Sequence, residues 1–169
     1  ELDVDAFSTI TQVAARSVAR DGRVTSMSED LARPRRRSGL GAVAGDLGVV
    51  SFVIPKVEVG GLIEYQYERV YTDPDLLPVI VLGQRLPVMR SEVAIITPSG
   101  VNVDYRYGIG SIMKERVPFR RQLDGNRERA LFVEKDLGAY HPEPGMPHLA
   151  WVAPWIAMNV TEAKVGERL

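Results

Sequence analysis

The chain has 169 residues, long enough for one domain that buries about 70% of the surface its unfolded form exposes, so neither disulfides nor a structural metal are needed to hold it together. Its 21 Lys and Arg nearly balance 22 Asp and Glu, which argues against a polyanionic partner such as nucleic acid. It contains no cysteine, which excludes a thiol nucleophile, a zinc-thiolate site and any disulfide framework within these residues.

In chain order the first signal is Arg20-Asp-Gly-Arg23, read as a hairpin with Asp-Gly in a two-residue turn. Residues 33 to 48 hold Arg33, Arg35, Arg36 and Arg37 followed by Gly39, Gly41, Gly45 and Gly48, and read as a loop too loose for a regular element. Pro55 cannot donate to a sheet ladder and Gly60-Gly61 tolerates positive φ, so residues 55 to 61 turn the chain between two strands. The second of these, Leu62 to Glu68, alternates: Ile63, Tyr65 and Tyr67 share one face, Glu64, Gln66 and Glu68 the other.

Val79 to Leu82 reads as a buried strand, and Pro87 marks an edge, bulge or strand end. Val93 to Thr97 is β-branched, Thr97-Pro-Ser-Gly100 supplies a turn, and Val101, Val103, Tyr105 and Tyr107 alternate with Asn102, Asp104 and Arg106. Residues 92 to 107 are therefore expected to form one hairpin. Leu123-Asp-Gly-Asn126 signals another, ahead of the apolar run Ala130 to Val133. His141 to His148, with Pro at 142, 144 and 147, is expected to run extended without pairing, before a last strand over Trp151 to Val160. No confident helix longer than a couple of turns is signalled. Short antiparallel strands with Gly and Pro turns bury their apolar faces best as two packed sheets, so the expected fold is all-β, an antiparallel sandwich of immunoglobulin-like or related type, in a single domain spanning residues 1–169. An open barrel is the alternative.

Candidate chemistry is sparse. His141, Glu143 and His148 have spacings that a curled chain could converge on a metal, but a Pro-rich strap with solvent-facing polar groups is the preferred reading, and no metal site is expected. Glu64, Glu68 and Asp104 could supply paired carboxylates, but strand alternation alone places them in water. The arginine run lacks interleaved aromatics and reads as a solvated loop. Tyr140, Trp151 and Trp155, with Tyr105, could stack on a sugar or pack against protein. Gly108-Ile-Gly-Ser111 is too short for a phosphate loop.

The ordered set Ala15 to Val24, Ser51-Phe-Val-Ile-Pro55, Val59-Gly-Gly-Leu-Ile-Glu-Tyr-Gln-Tyr67, Gln84-Arg-Leu-Pro-Val88, Pro98-Ser-Gly100, and Glu143 to Pro147 with Pro154 resembles a bacterial family of domains of unknown function found N-terminal to transglutaminase-like domains. It spans roughly residues 10 to 160, with Ile54 intervening before Pro55 and Gly138 where members often carry Pro. The resemblance implies a β-sandwich accessory domain, without cofactor or reaction of its own, cut from a longer periplasmic or envelope-associated protein. Its partner would be a transglutaminase-like, papain-type cysteine hydrolase domain in the same chain, or, in the alternative, an envelope glycan or peptide. No nucleic-acid binding and no membrane insertion are expected. The surface it points to is the strap and last strand, residues 140 to 156, with Tyr140, His141, Glu143, His148, Trp151 and Trp155.

Overall fold

A computed structural model of the chain describes residues 2–5, 7–28, 33–36, 48–115, 117, 119–141, 143–147 and 149–163. Thirteen strands and one 3-10 turn, Leu149–Trp151, account for the regular structure among them, and all strand pairs are antiparallel. The fold is an all-β sandwich of several sheets. Among the described residues no helix is long and apolar enough to cross a membrane. The chain divides into two compact units, Glu1–Asp73 and Pro74–Leu169.

The first unit holds two three-stranded sheets. One is ordered β3 (Val24–Ser26), β2 (Ser8–Val18), β6 (Leu62–Tyr71); the other β1 (Leu2–Val4), β5 (Gly48–Ser51), β4 (Arg33–Arg36). The loop expected from residue 33 thus contains a strand. Arginines and Pro34 are poor strand residues, but β4 is an edge, the place in a sheet where proline is tolerated. Arg37, Gly39, Gly41 and Gly45 lie outside the described residues.

The β2–β3 hairpin forms as expected, but its turn has three residues rather than two. Ala19 N–H donates to Arg23 C=O, Gly22 N–H donates to Ala19 C=O, both at 2.9 Å, and Gly22 takes the left-handed position at φ +85°. The join at residues 55 to 61 carries the chain from β5 in one sheet to β6 in the other and is pinned to this hairpin. The Ser17 hydroxyl donates to Pro55 C=O at 2.6 Å, and Arg20 N–H donates to the Glu58 carboxylate at 2.9 Å. A Cβ on Gly61 would meet the Val18 carbonyl oxygen at 2.7 Å, a backbone atom that cannot step aside. Along β6 the inward row is set by Tyr65, opposite buried Ala15 and against Phe52 at 5.9 Å between ring centroids, while Glu64 pairs with Arg16 and Glu68 accepts from Thr11 on the outer row. An extra residue around Gln12, at φ +49°, makes a bulge in β2 that keeps both rows in phase.

The second unit packs a four-stranded sheet, ordered β10 (Ile112–Met113), β9 (Val101–Ile109), β13 (Pro154–Ala163), β7 (Ile80–Val81), against a three-stranded one, ordered β11 (Phe119–Asp124), β12 (Arg127–Leu137), β8 (Val88–Pro98). Leu82, Tyr105, Tyr107 and Ile156 meet Ala130 and Phe132 in the core. The alternation read along residues 101–107 holds at every position, Tyr105 and Tyr107 buried and Asn102, Asp104 and Arg106 exposed. The expected hairpin over residues 92 to 107 does not form. β8 pairs with β12, β9 with β13, and Ser99-Gly100, with Gly100 at φ +83°, carries the chain from one sheet across to the other. Two successive strands with one apolar face each can lie side by side or face to face over a core, and a period of two is the same for both arrangements. The hairpin β11–β12 forms around Gly125-Asn126.

Tyr107 donates its hydroxyl to Glu134 at 2.7 Å. Burial first, then that hydrogen bond and the carboxylate charge, push its phenol far above the usual tyrosine range; burial likewise raises Tyr71 and Tyr105. The folded chain therefore keeps protons that the unfolded chain releases near pH 10. Below that pH the stabilisation is fully present; above it the unfolded state binds fewer protons, and stability falls by up to about 1.4 kcal/mol per pH unit per phenol until the folded phenols titrate. Urea unfolding between pH 8 and 11.5 is expected to show this decline, and Tyr107→Phe to remove about one proton from its slope. An unchanged slope in the variant would assign the effect to other groups.

Candidate functional site

The β9–β10 turn and the chain entering β13 build one corner of the second unit. Gly110 sits at φ +59°; its N–H donates to Ala153 C=O at 3.2 Å and its C=O accepts the Trp155 indole N–H at 2.8 Å. Directly across the β9–β13 ladder, Trp155 stands opposite Gly108 and lies over it so closely that a Cβ there would fall inside the ring's van der Waals surface. The ring thus fills the space glycine leaves, on the side of the sheet opposite Ile156 and the core.

Trp151 closes the 3-10 turn, in which Leu149 C=O accepts from both Val152 N–H (3.1 Å) and Ala153 N–H (3.0 Å). A Cβ on Gly110 would come within 2.9 Å of the Trp151 carbonyl oxygen, so only glycine lets these two turns meet. The last strand consequently starts at Pro154, not at Trp151 as its apolar composition suggested. The Trp151 side chain is 65% exposed, and Ile112, which pairs with Ile109, is 62% exposed with Met113 at 60%. Met113, opposite Gly108, lies on the same face of the sheet as Trp155, and its neighbour Ile112 lies on the other, so the exposed apolar side chains flank the β9–β10 turn on both faces beside the turn that carries Trp151.

The other residues singled out from the sequence are placed as follows. Tyr140 is partly buried with its ring against Gly83, and its N–H donates to Gln84 C=O at 3.0 Å. His141 and Glu143 are exposed, and His148 lies outside the described residues. The strap is not extended throughout: Met146 N–H donates to Glu143 C=O at 3.0 Å, with Gly145 at φ +80°, making a turn. Among the described residues no three His, Cys, Asp or Glu side chains are grouped to hold a metal ion. Glu64 and Glu68 belong to β6 in the first unit and Asp104 to β9 in the second. Arg33, Arg35 and Arg36 lie on the backbone of β4.

Of the aromatic set, only Trp151 is exposed; Trp155 and Tyr140 are partly buried, each committed to a glycine, Gly108 and Gly83. Gly108, Gly110, Ile112 and Met113 are the site residues that sequence reasoning missed. The signal was the Gly-Ile-Gly-Ser turn itself, rejected as a phosphate loop but not weighed as a seat for tryptophan.

Residues 4–130 match the model of a family described as a domain of unknown function with solved structure, DUF3857. A crystal structure of a Parabacteroides distasonis protein provisionally described as a protease shares the fold, with a TM-score of 0.59 and 16% sequence identity over 93% of this chain. This chain spans 31% of the length of that one. No curated protein matches the sequence. The ordered motifs from Ala15 to Gly100 fall inside the matched span, those at Glu143 to Pro147 and Pro154 outside it, and the chain belongs to the DUF3857 family.

Proposed function

We propose that this chain is a non-catalytic accessory module that packs on, and positions, a transglutaminase-like cysteine hydrolase domain of the same envelope-associated polypeptide. The observation that carries this reading is Trp151, left 65% exposed in the turn that leads into β13, next to a β9–β10 turn whose Ile112 and Met113 are also exposed. Trp151 lies within the 140 to 156 segment and is of the residue type that most often anchors an interface. Two facts support it. The fold of this chain occupies 31% of a protein provisionally described as a protease, and the nucleophilic thiol of a papain-type hydrolase cannot come from 169 residues that contain no cysteine. Glycan stacking is less well supported, because the second tryptophan is already seated on Gly108.

The test is ¹⁹F NMR of the chain labelled with 5-fluorotryptophan, which gives one resonance for each of its two tryptophans. Titration with the separately produced hydrolase domain of the parent polypeptide is expected to shift the Trp151 signal and leave Trp155 nearly fixed. Ile112→Asp with Met113→Asp should abolish the shift. No shift at roughly millimolar domain, the effective concentration a short linker provides, would sink the proposal.

A further inference from the structure

We propose that β8 is a self-complementary edge through which two copies of this chain join their β11-β12-β8 sheets into one continuous six-stranded sheet, with the two-fold axis at Ser91. β8 has eleven residues and pairs only with β12 among the described strands, and none of its backbone groups bonds to a described turn or loop. A free edge of that length offers a row of unpaired N–H and C=O groups. Pro87 before the strand and Pro98 at its end limit how much of that row another strand can use.

Charge selects the partner and the register. The outward row of β8 carries Arg90 and Glu92, bonded to each other at 2.5 Å, and the register places Arg90 opposite Lys135 of β12, a like charge. In an antiparallel pair about a two-fold axis, residues equally spaced from the axis stand opposite one another. An axis at Ser91 puts Arg90 opposite Glu92 of the second copy, and Glu92 opposite its Arg90, so both charges gain an opposite partner. An axis at position 90 or 92 would oppose like charges, and one at 89 or 93 would leave both charges facing uncharged residues. On the inward row the same register brings Met89, 64% exposed, against Val93 of the second copy. β6, the other long edge strand, fails this test: its outward row contains Glu64 and Glu68 and no base, so self-pairing gains no ion pair.

The inference is independent of the proposed docking corner, which lies on the other sheet of the unit. Sedimentation velocity of the 169-residue chain over roughly 10 μM to 1 mM is expected to show a reversible monomer–dimer equilibrium. Arg90→Glu or Glu92→Arg alone should weaken dimerisation roughly ten-fold or more by opposing like charges. Mixing the two variants should restore it, because each pair then again joins opposite charges. Since the chain has no cysteine, Ser91→Cys should oxidise to a disulfide-linked dimer while Met89→Cys, displaced from the axis, should not. A chain monomeric throughout the range, a dimer indifferent to both charge reversals, or cross-linking at 89 rather than 91 would each overturn the proposal; circular dichroism of each variant establishes that it is folded.

Discussion

Replacing Phe132 by alanine is expected to destabilise the second unit by about 3–5 kcal/mol, the usual range for emptying a fully buried aromatic site. Phe132 is 2% exposed and lies in the middle strand of its sheet, opposite Phe119 of β11 on one side and Val93 of β8 on the other. Its ring stacks on Phe119 at 5.3 Å between centroids, tilted 23°, and meets Tyr105 of the facing sheet edge-on at 5.4 Å and 67°. The side chain therefore joins all three strands of its sheet and both layers of the sandwich, so the hole left by alanine cannot be closed by one neighbour moving. Against a total stability of about 5–15 kcal/mol for an ordinary domain, the loss is a large fraction. Urea unfolding followed through the two tryptophans, both in this unit, reads it directly. Phe119→Ala should cost less, because that ring is only partly buried at the periphery of the same cluster. A cost for Phe132→Ala below that of Phe119→Ala would mean that the two sheets do not close on Phe132.

The features legible in the sequence were those set by neighbours along the chain. Alternation placed Tyr105 and Tyr107 inward, because a strand's period of two acts residue by residue. The turns at Gly22 and Gly125 could be read because only glycine enters the left-handed region without strain. What failed depended on partners far away in sequence. Val93 to Tyr107 carries all the local marks of a hairpin, yet β12 and β13, more than twenty residues further on, claim its two strands. Pro34 looked like a loop residue because its tolerance as an edge depends on β5 lying on one side only. The tryptophans could be singled out by type as surface candidates. Their division of labour, with Trp155 covering Gly108 and Trp151 left in water, follows from a β9–β13 register that no local pattern records.

Gly108→Ala is expected to cost about 2–4 kcal/mol, at or above the usual range for overpacking, although alanine is the better strand residue of the two. The new methyl group would occupy the space of the Trp155 ring and approach the Ile112 carbonyl oxygen at 2.9 Å. Trp155 cannot turn away freely, since its indole N–H is held by Gly110 C=O at 2.8 Å. Moving the ring would break that bond and leave a partly buried donor unpaired, which adds about 1–3 kcal/mol to the steric cost. The two contributions are separable by a double-mutant cycle with Trp155→Ala. With the ring removed, Gly108→Ala loses its two closest contacts and keeps that with the Ile112 carbonyl, so its cost should fall by at least about 1 kcal/mol, the non-additivity expected of residues in direct contact. Additive costs would show that the ring does not rest on Gly108. In the ¹⁹F spectrum the Trp155 resonance of Gly108→Ala should move and that of Trp151, already in water, should not, which makes the substitution a control for the docking corner as well. A shift at Trp151 would show that the exposed tryptophan is positioned by the seated one, and that the corner responds as a single unit.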